Sequence, residues 1–404
     1  MNVKMFFLLT ILVLTTSCKD SNKLQNGLWR GELIVSEKLA PFLFEVKDAG
    51  TESVSVTIMN GEERVKLSGV YYVEDTVIIP IDSYDTHLRA KITGDKMEGL
   101  FIRNYIDDDT GIAFKAEKKN TRFDPVKDPI NISLDGRWDV YYYNNNDSTR
   151  NVGIFESNNG IITGSILTNT GDLRFLEGVY TKAGAQLSTF GGLSPTLIQL
   201  NIHDENTFEG LFYGANRSFR IVGKRNDKAA LTSGYYTTIM KYGMHSLSFS
   251  LPNMDGEIIS INDDRYKDKV VIVSALGTWC PNCLDEHAFL AEWYKENKHR
   301  GVEVIGLAFE RKDDFEYAQT TINRFKQQHG IDYEILYAGR VGTANVMKVL
   351  PELDGFFSYP TTIIIDKQGK VKKIHSGFSG PATGIFYEEF KKEFNEIVDG
   401  LLAQ

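Results

Sequence analysis

The chain has 404 residues, of which 42% are hydrophobic and 25% are charged, so it can form two or three folded domains and is not disordered as a whole. Its formal net charge is −9, with acidic and basic residues interspersed, so no nucleic-acid partner is expected. The three cysteines, Cys18, Cys280 and Cys283, are too few for a disulfide-stapled scaffold, and each needs its own explanation.

Residues 1–18 have the pattern of a secretion signal. Lys4 precedes an almost purely apolar run from Met5 to Leu14, and small residues lead into Cys18. The run is shorter than the roughly 20 residues that a membrane-spanning helix needs, which predicts a cleaved signal. A cysteine at this point resembles the bacterial lipoprotein signal. That resemblance implies a lipidated Cys18, which would anchor the protein to a lipid bilayer surface in the cell envelope, facing the periplasm or the exterior. Ordinary secretion, with Cys18 incidental, is the alternative.

The next two hundred residues contain an internal repeat. Three short islands recur in the same order about 110 residues further on, a spacing typical of a domain rather than of a solenoid unit. The pairs are Gly27-Leu28-Trp29 with Gly136-Arg137-Trp138, Gly69-Val70-Tyr71 with Gly178-Val179-Tyr180, and Glu98-Gly99-Leu100-Phe101 with Glu209-Gly210-Leu211-Phe212. We therefore predict β-rich repeat 1 at residues 24–122 and β-rich repeat 2 at residues 130–228.

Both repeats have the alternation of antiparallel strands. Val54, Val56 and Ile58 alternate with polar residues, and Asn60-Gly61 is a hairpin signal. Each repeat is predicted to be a small barrel or sandwich, and the Gly-x-Trp openings resemble those of lipocalin-like barrels. A spacer or protein-recruiting role is favoured for the repeats, with binding of a small apolar ligand as the alternative.

Residues 245–404 have an α/β pattern. The apolar run Val270–Leu276 is typical of a strand that is buried on both faces. The elements predicted after it are a helix at 283–298, a strand at 302–307, a helix at 314–329, a strand at 334–336, a short helix at 343–350, strands at 361–365 and 371–374, and a last helix with one apolar face. This order predicts a thioredoxin-like domain.

Cys280 and Cys283 lie where the buried strand ends and a helix begins. Unpaired N–H groups at a helix N-terminus favour a thiolate at Cys280, the attacking sulfur, and the spacing lets Cys283 resolve the mixed disulfide. Half a zinc site is the main competing interpretation of such a pair. No further cysteines exist to complete one, so we expect no metal and no cofactor.

The segment Gly277-Thr278-Trp279-Cys280-Pro281-Asn282-Cys283-Leu284-Asp285-Glu286 resembles the active site of the TlpA/ResA family of membrane-associated, thioredoxin-like thiol–disulfide oxidoreductases. Tyr359-Pro360-Thr361-Thr362 resembles the family's cis-proline loop, which faces the cysteines. The resemblance covers the C-terminal domain only. It implies catalysis by Cys280 and Cys283, a proton relay at Glu286, and substrate contacts at Trp279, Pro281, Tyr359 and Pro360.

The sequence therefore predicts an envelope thiol–disulfide oxidoreductase, with reductase favoured over oxidase. Its implied partners are disulfide-containing envelope proteins and an upstream membrane thiol donor. A peroxiredoxin-like peroxidase is one alternative, although Thr278 and Ser274 do not match that family's active-site pattern. A copper carrier of the Sco type needs a wider cysteine spacing. The last alternative is a binding lipoprotein that works through its β repeats, with a redox-inactive thioredoxin scaffold.

Overall fold

The computed structural model describes residues 22–106, 110–144, 147–215, 217–232 and 234–404, and the predicted signal with Cys18 lies outside them. The described chain forms two antiparallel β units followed by a thioredoxin-like α/β domain, which confirms the predicted fold class. None of its described helices combines the length and the apolar character needed to cross a membrane.

Repeat 1 is an open sheet. Its described residues form nine strands: β1 (Gly27–Val35), β2 (Lys38–Lys47), β3 (Ser55–Asn60), β4 (Glu63–Leu67), β5 (Tyr71–Val73), β6 (Thr76–Ile81), β7 (Thr86–Thr93), β8 (Lys96–Arg103) and β9 (Ile112–Lys118). They pair antiparallel in the order β4-β3-β2-β1-β9-β8-β7-β6-β5. The edges β4 and β5 do not pair, so the sheet stays open as a half-barrel. A single 3-10 turn at Asp82–Tyr84 joins β6 to β7.

Repeat 2 closes into a barrel. Its described residues form β10 (Gly136–Asn144), β11 (Asp147–Asn158), β12 (Ile161–Thr168), β13 (Gly171–Asp172), β14 (Leu176–Tyr180), β15 (Gly184–Thr189), β16 (Thr196–Ile202), β17 (Thr207–Tyr213) and β18 (Ser218–Arg225). Since β11 pairs with both β10 and β12, eight of these strands form a ring. The short strand β13 pairs antiparallel with the end of β12. Trp138, Phe155 and Phe208 are buried in its core.

The predicted sequence repeat corresponds to equivalent positions in the two units. Trp29 and Trp138 are both fully buried, and each indole N–H donates to the carbonyl four residues earlier. Gly99 and Gly210 lie in β8 and β17, where a Cβ would come within 1.9 and 2.1 Å of a carbonyl oxygen on the neighbouring strand. Only glycine tolerates so close an approach of two strands.

Arg122 holds the two repeats together. Its buried guanidinium forms an ion pair of 3.1 Å with Glu177 of repeat 2. It also donates to Asn60 Oδ1 of repeat 1 at 3.1 Å and to Ser188 Oγ of repeat 2 at 3.2 Å. A buried guanidinium needs several acceptors, and here both repeats supply them.

The C-terminal domain is complete in the described residues. A small hairpin of β19 (Ser250–Pro252) and β20 (Ile258–Ser260) comes first. The elements that follow are β21 (Val270–Leu276), α1 (Pro281–Asn297), β22 (Val302–Glu310), α2 (Phe315–His329), β23 (Glu334–Arg340), α3 (Thr343–Val349), β24 (Thr361–Ile365), β25 (Val371–Ser376) and α4 (Ile385–Leu402). The five strands β21 to β25 form one sheet in the order β23-β22-β21-β24-β25.

The helices and strands predicted from β21 onward are present, with bounds that differ by up to four residues, whereas the hairpin of β19 and β20 was not predicted. The strands β21 to β23 are parallel, β24 pairs antiparallel with β21, and β25 pairs antiparallel with β24 at the edge of the sheet. Helix α1 begins at Pro281, two residues before the predicted start, since proline suits the first position of a helix. The central strand β21 is buried throughout, so its end places the cysteine pair at the middle of the sheet.

Candidate active site

Cys280 marks the junction of β21 and α1. It is the N-cap residue of α1, and its carbonyl accepts the first helical hydrogen bond, from the Leu284 N–H at 3.1 Å. Before it, the Cys280 N–H donates to the Gly277 carbonyl at 3.0 Å, which closes a tight turn. The Cys280 sulfur therefore lies at the positive end of a helix of 17 residues.

The two thiols differ in their surroundings. Both cysteines are reduced in the structure, with Cys280 6% exposed and Cys283 fully buried. The Cys280 thiol donates to the Tyr359 carbonyl at 3.7 Å, and the Tyr359–Pro360 peptide bond is cis. Burial raises the pKa of the Cys283 thiol well above its usual value, and the neighbouring Cys280 and Glu286 raise it further. Cys283 therefore keeps its proton more firmly than a thiol in water.

A buried carboxylate fixes the loop ahead of the cysteines. Glu310, at the end of β22, accepts hydrogen bonds from the backbone N–H of Thr278 at 3.1 Å and from its hydroxyl at 2.9 Å. Burial raises the pKa of Glu310. The Trp279 indole N–H donates to the Phe309 carbonyl at 2.9 Å, and its ring meets the Tyr359 ring edge-on at 5.7 Å. These contacts hold Trp279 beside the cis-proline loop.

Glu286 lies inside the domain rather than on its surface. It is 1% exposed, and it accepts hydrogen bonds of 2.7 Å from Ser274 in β21 and from Thr362 in β24. Burial raises the pKa of its carboxyl from 4.5 to about 7, against the lowering effect of the two hydroxyls. A carboxyl with a pKa of about 7 can both accept and release a proton at neutral pH.

Ser274 links Glu286 to a buried histidine. The Ser274 hydroxyl donates to Glu286, so it accepts from Nε2 of His287 at 3.2 Å. The other ring nitrogen of His287, Nδ1, then accepts from the Tyr333 hydroxyl at 2.7 Å. Burial lowers the pKa of His287 to about 3, so the imidazole is neutral and every polar atom of this chain of groups has a partner.

The structure brings seven of the predicted site residues into one region. Cys280, Cys283 and Glu286 lie on the first turns of α1 with Pro281, and Trp279, Tyr359 and Pro360 meet at Cys280. The eighth, Cys18, lies outside the described residues.

Sequence reasoning missed four residues that support these side chains: Ser274, Thr362, Glu310 and Arg174. Ser274 interrupts the apolar run of β21 and Thr362 lies at the start of β24, before three isoleucines; a polar residue in a buried strand is a signal of a buried polar site. Arg174, in repeat 2, carries no comparable signal. Its guanidinium donates to the Pro281 carbonyl between the two cysteines at 2.8 Å.

The C-terminal part of the chain matches known proteins. Residues 243–374 match the AhpC/TSA family. The chain is 26% identical to the thiol-disulfide oxidoreductase ResA of Halalkalibacterium halodurans over 161 residues, which cover 40% of this chain and 79% of ResA. It is 28% identical to ResA of Bacillus thuringiensis subsp. konkukian over 143 residues, which cover 35% of this chain and 74% of ResA.

Solved structures are similar over the same share of the chain. A thiol:disulfide interchange protein of the thioredoxin family from Chlorobium tepidum TLS shares 23% identity, with 43% of this chain and 99% of that chain covered, at a TM-score of 0.31. A thiol-disulfide oxidoreductase from Bacteroides fragilis shares 20% identity, with 36% and 99% covered, at a TM-score of 0.28.

The C-terminal domain has a thioredoxin fold, and the relatives that it matches are thiol–disulfide oxidoreductases. Within that class it is similar to ResA, as the active-site motif of the sequence indicated. Across the described residues, no group of three or more histidine, cysteine or acidic side chains is placed to hold a metal ion.

Proposed function

We propose that this protein reduces disulfide bonds of envelope proteins through Cys280 and Cys283. The observation that carries the proposal is the arrangement of the two sulfurs. Cys280 lies at a helix N-terminus and points at the cis-proline loop, while Cys283 is fully buried one turn behind it. One sulfur is thus positioned to meet a substrate, and the other only to meet the first sulfur.

The reaction transfers two electrons. The Cys280 thiolate attacks one sulfur of the substrate disulfide, and a bond forms between them while the substrate's second sulfur leaves as a thiolate and takes a proton. The Cys283 sulfur, on losing its proton, attacks Cys280 and forms the Cys280–Cys283 disulfide. The first substrate sulfur leaves as the second thiol. The substrate is reduced, the enzyme pair is oxidised, and an upstream thiol donor in the membrane restores the dithiol.

Glu286 is the proposed acceptor of the Cys283 proton. The high pKa of the buried Cys283 thiol makes this proton the difficult one to remove. Glu286 lies close enough to affect that pKa, and its own pKa is about 7. The Ser274 and Thr362 hydroxyls stabilise the carboxylate before it accepts the proton.

The cis-proline loop is the proposed binding surface for substrate. The Tyr359 carbonyl faces the Cys280 sulfur, so an extended substrate segment can align along this loop with its disulfide next to Cys280. Trp279 and Pro281 flank the sulfur and would contact the residues around the substrate cysteine.

The envelope location is supported by residues 1–18 and by Cys18, whose pattern is that of a lipoprotein signal. Lipidation at Cys18 would place β repeats 24–122 and 130–228 between the membrane and the redox domain 245–404. A Cys18→Ser variant should then leave the membrane fraction of cells, while a serine variant of Cys280 should remain in it.

The reduction potential of the pair in the full chain tests the proposed direction. Redox titration against glutathione, read by thiol-specific mass labelling, should give a value near that of thioredoxin, about −270 mV. A value near the strong oxidants, about −120 mV, would reverse the proposal to disulfide formation. Cys280→Ser is the control and should show no two-electron transition. Turnover of hydrogen peroxide faster than of a protein disulfide would instead favour the peroxidase alternative.

A further inference from the structure

The attacking sulfur is covered in this structure. Cys280 is 6% exposed. Burial raises the pKa of the Tyr84 hydroxyl of repeat 1, and Cys280 lies near enough to raise it further. Buried apolar side chains form one continuous cluster from the sheet of repeat 1, through Tyr84 and Phe190, to Cys280 and Cys283. Tyr84 itself is 4% exposed. The N-terminal half of the chain thus packs on the face where a substrate must arrive.

Repeat 2 contacts the dithiol loop directly through Asp172 and Arg174, at the β13 tip. Besides its bond to the Pro281 carbonyl, the Arg174 guanidinium forms an ion pair of 3.1 Å with Asp285 in α1. The Asp172 carboxylate accepts from the backbone N–H of Gly380 at 2.7 Å. We call these contacts the first clasp. Its central bond reaches Pro281, one of the two residues between the cysteines.

Repeat 1 contacts the other side of the same region through the turn at residues 82–85. The carbonyls of Asp82 and Tyr84 accept from Arg324 at 2.7 Å and from Arg311 at 3.1 Å. The Asp85 carboxylate accepts from the Tyr317 hydroxyl at 2.9 Å. These contacts form the second clasp, in which repeat 1 supplies the acceptors and the redox domain supplies the donors.

We propose that the two clasps make the paired β repeats a cap that controls access to Cys280, with Arg174 as a specificity-determining residue. The inference rests on the proposed function, because it concerns access to the same sulfur. Thiol–disulfide exchange needs the attacking sulfur and both substrate sulfurs in a line. A sulfur that is 6% exposed offers little surface for that approach until the cap moves.

The cap selects protein substrates over small disulfides. Opening the first clasp breaks the ion pair between Arg174 and Asp285. This loss is unfavourable unless a partner supplies replacement contacts. A folded protein can offer carbonyl and carboxylate groups to Arg174 while it presents its disulfide. A small disulfide without such groups, such as that of 2-mercaptoethanol, reacts only in the fraction of time that the cap opens by itself.

Alkylation of the reduced full chain tests this inference. N-ethylmaleimide is the probe, and peptide mass spectrometry measures modification at Cys280 separately from Cys283 and Cys18. In Arg174→Ala, Cys280 should react at least about tenfold faster than in the wild type, because the charge-assisted bonds of the first clasp are gone. The matched control is Arg220→Ala, which removes an exposed ion pair of repeat 2 with Glu209 and no contact to the redox domain. It should react at the wild-type rate.

A second variant keeps the test decisive if Arg174→Ala does not fold. Tyr317→Phe combined with Arg324→Ala weakens the second clasp from the redox-domain side, and it should also accelerate labelling of Cys280. Equal labelling rates in the wild type and in the folded clasp variants would overturn the cap. Redox titration of the same samples reports the Cys280–Cys283 couple independently. Equal labelling rates together with a normal redox titration would therefore refute the cap alone, whereas a missing two-electron transition would refute the proposed redox function.

Discussion

Replacing Glu286 by glutamine should stabilise the redox domain at alkaline pH relative to the wild type. Burial raises the pKa of Glu286 from 4.5 to about 7, so the folded state holds this proton more tightly than the unfolded chain does. The stability that the proton adds is complete below about pH 4.5 and is lost as the pH rises through about 7.

The size of the effect follows from the two pKa values. Each tenfold change in proton affinity is worth about 1.4 kcal/mol, so deprotonation of Glu286 lowers the free energy of unfolding of the wild type by about 3 kcal/mol in total. Between about pH 5 and about pH 9 the loss is about 2.5 kcal/mol. Glutamine keeps partners for the Ser274 and Thr362 hydroxyls but does not titrate, so the variant escapes this loss.

Urea unfolding at several pH values measures the difference. Because the chain has several domains, the transition should be read locally, by pulsed hydrogen exchange of peptides from β21 and α1. The neutral His287 also titrates, with its pKa lowered to about 3, but it is common to both proteins and cancels in the difference. Glu292→Gln, an exposed site on the same helix, is the matched control and should show no comparable trend. A difference between Glu286→Gln and the wild type that does not change with pH would refute the reasoning.

Three further substitutions test other parts of the structure. Cys283→Ser should accumulate a mixed disulfide between Cys280 and substrate, visible on non-reducing gels, because the resolving sulfur is missing; a serine variant of Cys280 that also traps substrate would contradict the roles assigned. Arg122→Met should destabilise the packing of the two repeats by about 3–5 kcal/mol in thermal unfolding, since it leaves buried acceptors and a carboxylate unpaired. Gly210→Ala should lower the free energy of unfolding by about 3 kcal/mol, because the new Cβ would overlap a carbonyl on the next strand. Gly400→Ala has open space around the new Cβ and should not lower the free energy of unfolding.

The redox domain could be predicted from sequence because its signals are local. The run Val270–Leu276 is buried on both faces, and Phe390 and Phe394 lie on the buried side of α4 as their spacing predicts. The cysteine pair also lies within one short segment. Cys280 comes four residues after the end of β21 and directly before α1. Each of these features depends on neighbours within a few turns of the chain.

The surroundings of Glu286 could not be predicted in the same way. Ser274 and Thr362 lie directly opposite each other in the antiparallel pairing of β21 and β24, and that register brings both hydroxyls to one carboxylate. Nothing in the local pattern of either strand fixes this register, which depends on how the whole sheet assembles. The spacing of Glu286 from Cys283 predicted its helical face but not that this face is buried.

Both copies of the β unit contribute contacts to the cap. The Arg174 guanidinium lies 2.6 Å from Glu63 of repeat 1 and 3.1 Å from Asp285 of the redox domain, so one side chain joins all three units. The second clasp belongs to repeat 1, and Arg122 fixes the spacing of the two repeats. Removing repeat 1 would take Glu63 from Arg174 and Tyr84 from above Cys280. In the proposed cap, a single repeat would therefore supply only one of the two clasps, so Cys280 should be labelled faster in a chain without repeat 1.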